Sequence, residues 1–123
     1  FWGREAASTN FELKPCDPSC NPYLAFAALL QAGLEGIEKG YELPDSMETN
    51  LYRLTTEQRR ERGIIALPES LGEAIDELAS SDVMRLALGE HIFPRYVELK
   101  RKEWDEYRVQ VTEWEKGKYL ASL

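Results

Sequence analysis

Glu12 and Lys14 stand one residue apart in Asn10-Phe11-Glu12-Leu13-Lys14, the spacing of one face of an extended segment. A carboxylate is a hard oxygen donor for Mg²⁺ or Mn²⁺, and an ammonium is a point charge for a substrate carboxylate or phosphate. One carboxylate does not make a metal site, because Mg²⁺ takes six oxygens in octahedral array and Mn²⁺ is similar. No second Asp or Glu has a spacing that would obviously converge with Glu12. On spacing alone the pair reads as a surface ion pair, worth under ~1 kcal/mol. Two cysteines, Cys16 and Cys20, flank the next turn. They read as reduced thiols of a cytosolic protein, since zinc needs four ligands and the single histidine, His91, is far along the chain. A disulfide between them has no secretory feature to support it. Asp17, before Pro18, reads as a turn-former, and His91 as a surface or capping residue.

The elements that must position these residues follow from local signals. Alternation over 9–14 predicts a short strand, with Phe11 and Leu13 on one face and Asn10, Glu12 and Lys14 on the other. Pro15 and Pro18 end it. Asn21 as N-cap and Pro22 at the first helical position open a helix to about Ile37, with Gly36 and Gly40 as stops. From Tyr23 to Leu34 only Gln31 interrupts an apolar surface, so this helix is expected to be buried on all sides and to need a larger body around it. Ala25, Ala27, Ala28, Ala32 and Gly33 would let neighbouring backbones come close. Residues 41–69 read as a surface excursion, with a turn at Pro44-Asp45-Ser46 and a short charged helix from Thr55 to Arg62. Ser70 and Glu73 form a capping box for an amphipathic helix ending near Ala79, and Ser81 caps another that Gly89 stops. The longest helix is expected over 90–111, with Pro94 tolerated in its first turn. Its apolar stripe runs through Phe93, Tyr96, Val97, Lys100, Trp104, Tyr107 and Val111, opposite Glu98, Arg101, Lys102, Asp105 and Glu106. Thr112 and Glu115 form a second capping box before a terminal helix carrying Trp114, Tyr119, Leu120 and Leu123. Trp104 and Trp114 are both expected in core packing. The fold class is therefore α+β and mostly helical: one short N-terminal strand followed by about five helices.

At 123 residues the chain is the size of one domain. With 30% charged and 43% apolar residues it is globular, and its net charge of −7 repels a polyanion, which argues against nucleic-acid binding. No apolar run reaches the ~20 residues of a membrane span. The opening Phe1-Trp2-Gly3-Arg4-Glu5 has no initiator methionine and no secretion pattern, which we read as the start of a fragment from a cytoplasmic protein.

The ordered block from Phe11-Glu12-Leu13-Lys14 through Asp17-Pro18-Ser19-Cys20-Asn21-Pro22-Tyr23-Leu24-Ala25-Phe26-Ala27-Ala28-Leu29 resembles the C-terminal catalytic segment of the glutamine synthetase family. The later blocks Leu67-Pro68-Glu69-Ser70-Leu71-Gly72-Glu73-Ala74, Leu86-Ala87-Leu88-Gly89-Glu90 and Val111-Thr112-Glu113-Trp114-Glu115 resemble that family's closing helices. The resemblance covers nearly the whole chain, read as one C-terminal piece of the catalytic domain over 1–123. It implies an ATP-dependent ligase in which the glutamate side chain is phosphorylated and ammonia or another amine attacks. Two or three Mg²⁺ or Mn²⁺ ions neutralise the transferring phosphoryl group. It assigns one metal ligand, Glu12, and a substrate-binding role to Lys14. It also implies partners: the remainder of the enzyme and neighbouring subunits, whose rings of six we do not transfer to this piece.

Three departures qualify that reading. Lys14 stands where the family commonly has Arg, and a point charge replaces a bidentate fork, which points to a divergent branch acting on polyamines or other amines. Phe1-Trp2-Gly3-Arg4-Glu5 resembles the start of a stretch whose arginines contact ATP, but Ala6-Ala7-Ser8-Thr9 follows at once. Near 5–9 either two pieces are joined across a deletion or a natural variant has lost function. Tyr52 matches a tyrosine that is adenylylated in some bacterial members, but Arg53-Leu54-Thr55 departs from their context. The chain alone is expected to be inactive and to bind neither ATP nor metal. The alternative is a non-catalytic helical interaction module of the same origin, self-associating through the Tyr23–Leu34 helix.

Overall fold

The computed structural model describes residues 12–120. An Asn side chain opens the first helix: Asn21 Oδ1 accepts from the N–H groups of Tyr23 and Leu24, and Pro22 follows where no donor is needed. Helix α1, Pro22–Lys39, ends on Gly40 in the left-handed region (φ 61°), whose N–H and that of Tyr41 return to the carbonyls of Ile37 and Gly36. The chain then runs without regular structure to a single 3-10 turn, Leu51–Arg53, capped by Asn50. Helix α2, Thr56–Glu61, carries a full capping box between Thr55 and Gln58. Helix α3 is Leu71–Ser80, α4 is Asp82–Arg108, and α5 is Glu113–Tyr119 with the expected Thr112–Glu115 box.

Among the described residues, helix packing centres on a corner at α4, which packs against both α1 and α3. Gly89 breaks α4 with φ 70° and ψ 168°, a backbone region open in practice to glycine alone. Leu88 before the break and Phe93 after it are both buried, and Ile75 of α3 completes the core. The Arg85 guanidinium covers the Phe93 ring at 4.5 Å. Trp104 lies over Gly72, so closely that a Cβ there would meet the indole Nε1 at 2.8 Å. An Arg101–Asp76 ion pair of 3.3 Å ties α4 to α3 at the surface.

Four expectations are corrected. No strand occurs among the described residues, which are all-helical and irregular, so the α+β assignment fails there. Residues 9–11 of the expected strand lie outside the described set, as do the segment near 5–9 and Leu123; 12–14 form neither helix nor strand. A strand needs a neighbour for its N–H and C=O groups, and alternation alone does not supply one. Second, α1 is not buried on all sides: Tyr23, Phe26, Leu30, Leu34 and Ile37, recurring at three and four residues, form one open face, with Phe26 68% and Ile37 79% exposed. Third, the α4 stripe stops at Trp104, because α3 reaches no further, leaving Tyr107 and Val111 exposed. Trp114 is also 65% exposed, met edge-on by Tyr119 at 6.2 Å and covered by Lys118 at 4.7 Å. Fourth, Ser70 caps the N–H of Glu73, but Glu73 reaches back to the N–H of Glu69, one residue before the cap, so the box is not closed.

Candidate functional site

The sequence brings Glu12 and Lys14 to one side of the chain, and the structure keeps them there, with Lys14 Nζ 3.7 Å from Glu12 Oε1. Both side chains are more than three-quarters exposed. A cation at Glu12 competes with that ammonium for the same oxygens. Among the described residues no three His, Cys, Asp or Glu side chains gather in a manner that could hold a metal ion. A single carboxylate such as Glu12 can offer oxygen to a divalent cation but does not by itself make a site.

Behind this pair the chain turns hard. Cys20 N–H donates to the Asp17 carbonyl at 3.0 Å, closing a turn over Asp17-Pro18-Ser19-Cys20. Asp17 Oδ1 accepts from both the N–H (2.7 Å) and the hydroxyl (2.6 Å) of Ser19. These two bonds, the hydroxyl first, hold the Asp17 carboxyl below the usual carboxylate range, with a smaller contribution from Lys100. Lys100 itself is held above the usual lysine range by its bond to Glu103, and Asp17 adds to this. Asp17 is thus a turn-former, as its place before Pro18 suggested.

The turn, α3 and α4 enclose a cleft of about 370 Å³, with Asp17, Cys20 and Lys100 at its rim and Leu71, Ile75 and Tyr96 among its lining. The Asp17–Lys100 relation is the feature that sequence reading missed. The two are far apart in the chain, and only the packing of α4 on the turn relates them. Cys16 and Cys20 are free and exposed. Tyr52 is 96% exposed on its 3-10 turn, and His91 is exposed at the start of the second part of α4. No described helix is long and apolar enough to cross a membrane.

The described residues form a helical body with one open apolar helix face, preceded by an exposed carboxylate. The family model for the glutamine synthetase catalytic domain matches residues 3–119. Similar curated proteins are the glutamine synthetases of Thermotoga maritima, 50% identical over 92% of this chain and 26% of the relative, and of Methanocaldococcus jannaschii, 47% identical over 92% and 25%. That of Thermus thermophilus is 44% identical over 97% of this chain and 27% of the relative. The chain belongs to the glutamine synthetase family, as part of its catalytic domain, and it spans about a quarter of the length of the curated relatives it matches.

Proposed function

We propose that this chain supplies one metal-binding carboxylate, Glu12, and the closing helices of an ATP-dependent ligase that joins ammonia or another amine to glutamate. The observation that carries this reading is the Glu12–Lys14 pair, followed by a hydrogen-bonded turn and a helix whose apolar face is open, in a chain of this family. Mg²⁺ or Mn²⁺ would neutralise the transferring phosphoryl group. Glu12 donates oxygen to that ion together with donors from the rest of the catalytic domain, and Lys14 presents a single positive charge to a substrate carboxylate or phosphate. Lysine at that position favours a branch that uses an amine other than ammonia. ATP, the remaining catalytic domain and a neighbouring subunit complete the site, in a cytoplasmic setting. Tyr52 is open to a modifying enzyme, but its Arg53 context favours the unmodified residue.

The test replaces the matching segment of the Thermotoga maritima enzyme with residues 12–119 of this chain. Glutamate- and ATP-dependent phosphate release is expected from the chimera and not from this chain alone. Glu12→Ala in the chimera is expected to lower kcat/KM at least ~100-fold, the scale of losing a metal ligand's contribution. Turnover by this chain alone, or a chimera indifferent to Glu12→Ala, contradicts the assignment.

The open face of α1 favours a second reading, a non-catalytic module that self-associates through that helix. Such a module predicts weak Mn²⁺ binding that is unchanged by Glu12→Ala.

A further inference from the structure

We propose that Cys16 and Cys20 are a redox couple that closes an intrachain disulfide across the Asp17–Cys20 turn. They are the only two cysteines in the chain, so any intrachain bridge joins them. Both are free and exposed. Only Asp17, Pro18 and Ser19 lie between them, and that link is already bent: the Cys20 N–H is bonded to the Asp17 carbonyl, and the Asp17 carboxylate holds both the N–H and the hydroxyl of Ser19. The ends of a hydrogen-bonded four-residue turn lie within about 7 Å, against Cα separations of about 4.4–6.8 Å in disulfides. Cys20 is one end of this turn, and Cys16 adjoins the other. The turn already reverses the chain between the two cysteines, so a bridge would close a short, bent loop with little chain entropy left to lose.

The oxidant is a small disulfide such as oxidised glutathione. One thiolate attacks it, forming a mixed disulfide and releasing one glutathione thiolate. The second cysteine then attacks the protein sulfur of that mixed disulfide and releases the second. Two electrons and two protons pass to glutathione, which leaves as two reduced molecules. The bridge fixes the link between Glu12–Lys14 and the Asn21 cap of α1. An effect on the metal ligand rests on the function proposed above; formation of the bridge does not.

The experiment exposes the native chain to oxidised glutathione and reads intact mass, free thiols and a peptide map. The expected product has lost two hydrogens and both titratable thiols, joins Cys16 to Cys20 in one peptide, and reverts with dithiothreitol. Cys16→Ser and Cys20→Ser are each expected to stall with one glutathione attached. The native chain should close the bridge faster than the chain in guanidinium. Stable glutathione adducts without hydrogen loss, disulfide-linked dimers in place of the intrachain bridge, or closure no faster in the folded chain would overturn the proposal.

Discussion

The α3–α4 corner and the α1 region with its leading segment are built on opposite terms. At the corner Ile75, Leu88 and Phe93 are buried, Trp104 closes on Gly72, and Arg101 reaches Asp76. In α1 no residue is buried, five large apolar side chains share an open face, and the carboxylate ahead of it meets the Lys14 ammonium. The first region satisfies itself. The second presents an open apolar face and one exposed carboxylate.

The largest way to break this contrast is at the corner. Phe93→Ala is expected to cost about 3–5 kcal/mol and Ile75→Ala about 2–5 kcal/mol, measured by denaturant unfolding of the helices. Tyr52→Ala, on the exposed turn, should stay within about 0.5 kcal/mol. If all three behave alike, the corner is not the core.

In α1 the same kind of change acts on association. The chain is expected to sediment as an oligomer, and Phe26→Glu with Leu30→Glu to return it to a monomer without loss of helix by circular dichroism. A wild-type monomer would contradict the reading of the open face.

A smaller effect belongs to Gly72→Ala. Relief of glycine's flexibility favours the helix by up to ~1 kcal/mol, less in the first turn, where this residue lies. The 2.8 Å approach to Trp104 opposes it with about 1–3 kcal/mol of overpacking. The clash wins, and a net destabilisation of about 1 kcal/mol is expected. A stabilised variant would show that the indole moves freely aside.

The smallest effect is at α5. The N–H of Thr112, and then its hydroxyl, donate to Glu115 and hold its carboxyl below the ordinary glutamate range. A depressed folded value means the contribution is present above the unfolded value and is lost as pH falls through the folded one. Helix α5 should therefore fray on acidification, as seen in the amide resonances of 112–116, and Glu115→Gln should flatten that titration. An unchanged titration would count against the cap.

Short-range chemistry was the legible part. Asn21, Thr55, Ser70, Ser81 and Thr112 all cap the helices their side chains announced, because a cap is settled within three residues. Gly89 marked the break in α4 for the same local reason. The strand was not legible, since Glu12 and Leu13 alternate correctly but pairing depends on a neighbour elsewhere. Nor was the end of the α4 stripe: Tyr107 keeps the helical period of Trp104, and only the length of α3 decides which of them is covered. The Glu12–Lys14 pair was readable as a juxtaposition, and the role proposed for it rests on the family resemblance.

Glu12 is proposed as one donor of a site completed by other polypeptide. Mn²⁺ titration of this chain, followed by the paramagnetic signal of the free ion, tests it most directly. No saturable site is expected in the micromolar range. A stoichiometric micromolar site in this chain, abolished by Glu12→Ala, would contradict it.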